Sequence, residues 1–276
     1  MNRNRKKTIL IIIIIILVVI IMAAGGYLLV RHLGLLSTGN TYKEVQESFV
    51  SVSQTTEKPP VTDADGSFIS TTGATNPIPP SPENPVNFTE LQAQNPDIYA
   101  WIHIPDTNVN YPVLQSDMDD NLYLDHDLYK DYSFPGAIYS QSKNNKEFTD
   151  RVTVLYGHNM LDGSMFATLH NFEDEEFFNS HPYFYVYTPT RKLTYEVVSA
   201  YDYDDRHILN SFDFSKNEVF SEWLTAAQSP HSLYSNVRSS VKLDLNSKML
   251  VLSTCQNGGD GRYLVQGVMI KDEQTK

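Results

Sequence analysis

The sequence holds one cysteine in 276 residues. That scarcity excludes an intrachain disulfide and any zinc site built from several thiolates. Basic residues are also short, with 21 Lys and Arg against 33 Asp and Glu and a formal charge of −12. The shortage is sharper over most of the chain, because Arg3, Arg5, Lys6, Lys7 and Arg31 all fall in the first 31 residues, where there is no acid. The remainder carries 16 basic against 33 acidic residues. Nucleic-acid affinity rests on clustered Lys and Arg, so a body this acidic excludes DNA and RNA as partners. The chain shows no internal repeat.

One long apolar run is present. From Ile9 to Val30 there are 22 residues without a charge, and as a helix at about 1.5 Å per residue they reach roughly 33 Å, enough for a bilayer core of about 30 Å. Four positive charges precede the run and only Arg31 comes immediately after it. The positive-inside bias then predicts a cytoplasmic N-terminus at 1–8, a transmembrane signal anchor at 9–30 in contact with membrane lipid, and everything beyond it outside the cell. Ala23, Ala24, Gly25 and Gly26 also fit the small-residue cleavage site of a signal peptide, which leaves that alternative open.

Residues 31–87 read as a spacer. Across 37–87, 25 of 51 positions are Ser, Thr, Pro or Gly, a composition that predicts no packed core and a tether reaching about 40 Å if it behaves as a flexible coil. Asn87-Phe88-Thr89 matches a glycosylation sequon.

Residues 88–276 predict a mostly β domain with peripheral helices. Aromatic and β-branched runs predict strands at Ala100–Ile104, Val109–Val113, Gly136–Tyr139, Val152–Tyr156, Phe184–Tyr187, Thr194–Tyr201, Lys248–Leu252 and Tyr263–Ile270. Eight strands so spaced suggest a closed barrel. Ser215-Lys216-Asn217-Glu218 has capping-box spacing, and Val219, Phe220, Trp223, Leu224 and Ala227 then share one helical face. Short helices are expected at Phe88–Gln94, Gly163–Leu169 and Glu173–Asn179.

A lone thiol outside the cytoplasm is a liability unless it is buried or used. Cys255 ends the apolar strand Met249-Leu250-Val251-Leu252 and precedes a glycine-rich loop, which predicts a place at a rim open to substrate. A thiol nucleophile needs a base or a cation beside it, because the thiolate is the reactive species. Of the histidines, His32, His103, His181, His207 and His231 read as ordinary. His158 differs, because it comes one glycine after its own strand, Arg151–Tyr156, the same strand-end placement as Cys255. Two adjacent strands ending at one rim would bring the two together. Arg262 opens the next strand and suits an oxyanion, since a guanidinium stays charged and offers fixed donors. Its alternative is a surface salt bridge, for instance to Asp260.

These residues resemble the sortase family, and its class B in particular. Val251-Leu252-Ser253-Thr254-Cys255 is close to the signature Thr-Leu-x-Thr-Cys, with Tyr156-Gly157-His158 upstream and Arg262 downstream. Class B is favoured by Asn95-Pro96-Asp97 leading to Trp101-Ile102-His103-Ile104-Pro105, by Asn159-Met160 with Gly163-Ser164-Met165-Phe166, by Glu175-Glu176-Phe177-Phe178 before His181-Pro182, and by the helix at 216–228. Val251 stands where the signature has threonine, and the seven-residue step from Cys255 to Arg262 is shorter than usual for class B. The resemblance implies a closed eight-stranded sortase-like barrel and a membrane-anchored cysteine transpeptidase, with Cys255 as nucleophile, His158 as general acid/base and Arg262 stabilising oxyanion and substrate. It implies as partners secreted proteins bearing a C-terminal sorting motif and an amine of a peptidoglycan precursor or cross-bridge, with no cofactor and no metal. Three other readings share the sequence features: a pilin-polymerising sortase, a hydrolytic cysteine peptidase and a non-enzymatic surface adhesin.

Overall fold

Alternation along the apolar strands sends side chains into two separate cores. In the strand Met249–Cys255, Leu250 and Leu252 join the large cluster inside the barrel, while Met249 and Val251 join a second cluster on its outer face. A strand buried on both faces reads as an unbroken apolar run, as this one does.

The computed structural model describes residues 3–50, 81–258 and 260–276, with side chains described over 12–26 in the first helix and again from 41. Its elements in chain order are α1 (Arg3–Phe49), α2 (Phe88–Gln94), β1 (Ile98–His103), β2 (Asn110–Leu114), β3 (Ile138–Tyr139), β4 (Val152–Tyr156), α3 (Glu175–Ser180), β5 (Tyr183–Thr188), β6 (Arg191–Tyr203), α4 (Ile208–Ser211), α5 (Asn217–Gln228), β7 (Ser235–Val237), β8 (Met249–Cys255) and β9 (Arg262–Gln274). Two 3₁₀ turns, Leu122–Leu124 and Ala167–Glu173, lie between them. Strands pair in the order β5-β1-β2-β3-β4-β8-β9-β6, and β6 pairs again with β5, so eight strands close a barrel. The ninth, β7, adds to the free side of β6. Two pairings are parallel, β2 with β3 and β4 with β8.

Helix α5 packs Phe220, Trp223, Leu224 and Ala227 against Val152, Val154, Met249, Val251 and Leu264 in the outer cluster. Its expected capping box does not form. Lys216 occupies the N-cap without a side-chain bond, and the Ser215 hydroxyl donates instead to Asp213 Oδ1 at 2.6 Å. The helix begins one residue late for the box, so Ser215 precedes the N-cap and its hydroxyl does not accept from a first-turn N–H.

The N-terminal part bears on two of the expectations. The expected membrane span at 9–30 lies within α1, and its side chains outside 12–26 fall outside the described residues; among the described residues no helix is long and apolar enough to cross a membrane. The expected spacer at 31–87 is not free of packing. Tyr42 and Val45 lie on one face of α1 and are 3% and 1% exposed in the main core. The Tyr42 hydroxyl donates to Gly136 O at 3.0 Å. Val50 pairs with Val86, Asn84 donates to Thr188 O at 2.8 Å, and the Lys276 N–H donates to Pro82 O at 3.0 Å. Composition averaged over the whole segment hides an apolar i, i+3 pair set among Lys43, Glu44 and Glu47.

Each buried apolar side chain of this kind contributes roughly 1.5–3 kcal/mol. A chain lacking residues 1–80 is therefore expected to melt several degrees below one lacking only 1–40, at about 2–4 °C per kcal/mol for a domain of this size. Coincident melting curves would show that Tyr42 and Val45 add nothing to the barrel.

Candidate active site at the barrel rim

Tyr156, the last residue of β4, sits opposite Ser253 of the parallel strand β8. His158 and Cys255 each lie two residues beyond that matched pair, so both emerge at one rim. β9 returns antiparallel, and its first residue, Arg262, pairs with Cys255. All three line one cavity of about 220 Å³, together with Leu124, Tyr139, Tyr156, Tyr203 and Thr254. The Cys255 side chain is exposed.

Glycines set the approach to two of these residues. A Cβ on Gly157 would come within 2.5 Å of Ile138 Cδ1 and 2.8 Å of the Phe166 ring, so only glycine lets the chain pass from β4 to His158. A Cβ on Gly261 would stand 2.6 Å from Tyr203 O, beside Arg262.

The His158 ring lies nearly parallel to Phe134 at 5.8 Å, and its Nε2 is 2.8 Å from Leu124 O. A main-chain carbonyl only accepts, so Nε2 carries a proton. Nδ1 makes no hydrogen bond among the described residues and is the ring atom left to exchange a proton. His158 and Cys255 share the cavity without a hydrogen bond to each other.

Two guanidinium groups line the cavity, and they are differently committed. Arg206 Nε donates to both carboxylate oxygens of Asp204, at 2.9 and 2.8 Å. Arg262 is in no ion pair among the described residues, Asp260 included; its Nη1 reaches only the carbonyls of Gly261 at 3.2 Å and Asp260 at 3.4 Å. Burial pushes the phenol of Tyr139 up to about 12, with Arg262 opposing the rise. Burial raises Tyr156 as well, reinforced by Tyr139 and again opposed by Arg262. Both phenols therefore stay neutral beside Arg262. The hydroxyls of Tyr156, Tyr203 and Thr254 are buried and have no hydrogen-bond partner among the described residues.

Of the histidines read as ordinary, His207 also lines the cavity, where its Nδ1 accepts from Asn210 N at 3.2 Å and caps α4. His181 stacks on Phe177 at 3.8 Å and meets Asp106 at 3.1 Å, away from the cavity. The site also has members that sequence reasoning missed. The Cys255 carbonyl oxygen lies 3.0 Å from His170 Nε2 and 3.1 Å from Asn159 Nδ2, and His170 Nδ1 is 2.5 Å from Glu173 Oε1. The i, i+3 spacing of His170 and Glu173 signals a pair, but nothing in the sequence ties it to a cysteine 85 positions away.

Comparison with known proteins agrees with this geometry. A family model for the sortase domain matches residues 102–270. Sortase B of Listeria monocytogenes is 33% identical over 184 residues, covering 66% of this chain and 73% of the relative. Among solved structures, sortase B of Clostridium perfringens superposes with a TM-score of 0.61 at 33% identity, covering 67% of this chain and 100% of that one. Sortase B of Bacillus anthracis in complex with AAEK1 gives a TM-score of 0.66 at 27% identity, over 87% of this chain and 99% of the other. With a domain match across well over half its length and class B enzymes throughout these comparisons, the chain belongs to the sortase family of cysteine transpeptidases, in its class B branch.

Proposed function

We propose that this enzyme joins secreted proteins bearing a C-terminal sorting motif to an amine of peptidoglycan or its precursor, working outside the membrane in which residues 9–30 anchor it. One observation carries the reading: an exposed thiol, an imidazole and an unpaired guanidinium line a single cavity at one rim of the barrel. The Cys255 thiolate attacks the carbonyl carbon after the motif's threonine, the C–N bond breaks, and His158 gives a proton to the departing amine. A thioester on Cys255 remains. The acceptor amine attacks the same carbon, passes a proton back to His158 and displaces the thiolate. One amide is exchanged for another, so the balance needs no ATP.

Arg262 answers the negative oxygen formed at each attack, a role open to it because no carboxylate among the described residues holds it. Motifs of the Asn-Pro-x-Thr-Asn kind are the class B expectation, with the short Gln256–Gly261 connection shaping the preference. The anchor is supported by 22 uncharged residues and by the exposed apolar side chains from Ile12 to Met22.

Two experiments on the full-length chain test this. Wild type incubated with a library of sorting peptides is expected to show a peptide adduct on Cys255 by intact mass, discharged by added amine. Cys255→Ala should lose both adduct and turnover while melting like wild type, because an exposed side chain contributes little packing. Turnover by the alanine variant would remove Cys255 as nucleophile, and discharge only to water would favour a hydrolase.

Arg262→Ala should lower kcat/KM by at least about 10²-fold, the scale of losing one oxyanion donor. Arg262→Lys should recover part of that, since it keeps the charge without the planar fork. Wild-type kinetics in Arg262→Ala would make this arginine a surface group.

A further inference from the structure

The peptide unit that joins Cys255 to Gln256 is held on both sides. Its carbonyl oxygen meets His170 Nε2 at 3.0 Å and Asn159 Nδ2 at 3.1 Å. Its N–H, on Gln256, donates to Gly261 O at 3.2 Å. His170 is itself fixed, with Nδ1 2.5 Å from Glu173 Oε1 and its ring stacked on Tyr263 at 4.6 Å and 25°. Asn159 Nδ2 also donates to Asn257 Oδ1 at 2.9 Å and lies 3.1 Å from His170 Nε2.

Donor and acceptor chemistry decides how this cluster works. A main-chain carbonyl and a carboxylate both accept only, so the hydrogens in these contacts come from the His170 ring and the Asn159 amide. The two amide hydrogens of Asn159 are then used by Cys255 O and Asn257 Oδ1.

Nothing in the proposed reaction uses His170. It does not line the cavity that holds the Cys255 side chain, and Glu173 lines a different cavity, of about 590 Å³, on the other side of the Gln256–Gly258 segment. The connection itself has little else to hold it, since Asn257, Gly258 and Asp260 are exposed.

We propose that His170 and Glu173 are a positioning pair for the nucleophile: with Asn159 they fix the plane of the Cys255–Gln256 peptide and so the direction in which Sγ leaves the backbone toward His158 and Arg262. The proposal rests on Cys255 being the nucleophile, as argued above. Its force comes from the sensitivity of covalent steps to placement, where an error of about 1 Å costs up to about 10²-fold.

The test uses the full-length chain with a sorting peptide and an amine, with steady-state rates, Cys255 adduct formation and thermal melting as readouts. His170→Ala is expected to lower kcat about tenfold or more, with KM for the peptide within about twofold of wild type and melting within about 2 °C. His170→Gln, whose amide offers a donor to the Cys255 carbonyl, should recover a large part of the lost kcat. Glu173→Gln keeps an acceptor for Nδ1 but not the charge, and should lower kcat several-fold. Wild-type kcat in His170→Ala overturns the proposal, as does a loss that comes with a raised KM or a fallen melting temperature and is not rescued by glutamine. If His170→Ala does not fold, Glu173→Gln decides, its carboxylate being half-exposed, and wild-type kcat there overturns the pair. A wild-type chain that forms no adduct refutes the nucleophile and the pair together; a wild type that forms one, matched by its variants, refutes the pair alone.

Discussion

The parallel pairing of β4 with β8 is the constraint on which the site depends. An antiparallel neighbour would set the end of one strand beside the start of the other, and His158 and Cys255 would lie at opposite rims. Parallel neighbours cannot be joined by a hairpin and need a long crossover. Here the chain between them supplies β5, β6, β7 and the helices α3 to α5, so the elements that close the barrel and build its outer core are also what make the juxtaposition possible. The hairpin from β8 to β9 then brings Arg262 back to Cys255 across six intervening residues.

Charge gives that rim its character. The body of the protein is strongly acidic, a poor setting for a new negative oxygen. Within the cavity that excess is absent: Asp205, Arg206 and Arg262 line it, Asp204 holds Arg206, Arg262 is in no ion pair among the described residues, and buried phenols at Tyr139 and Tyr156 stay neutral around it. An attraction inside a partly dry cavity is stronger than the same attraction at an open surface.

How much is legible in the sequence depends on what holds each element. β4 is legible to the residue because Val152–Tyr156 is a β-branched and aromatic run buried along nearly its whole length. β6 reads short at both ends, since Arg191, Lys192, Asp202 and Tyr203 are in the strand through hydrogen bonds to β9 and not through apolar periodicity. β7, with Ser235 and Asn236 in a three-residue strand, offers no pattern. Cys255, His158 and Arg262 are legible because strand ends and glycines mark a rim. His170 is not, since its place is set by the turn Ala167–Glu173 folding over β9, a tertiary fact with no local signature.

The pairing of Val50 with Val86 changes what the Ser/Thr/Pro-rich stretch between them does. A segment whose two ends are held side by side adds nothing to the distance between α1 and the barrel, whatever its own path. The distance from the start of α1 to the catalytic rim is then set by the turns of α1 and not by the contour length of residues 51–80. Lengthening or shortening that stretch changes only a loop-closure entropy that grows with the logarithm of its length. Its length is thereby free to drift without changing where α1 meets the barrel.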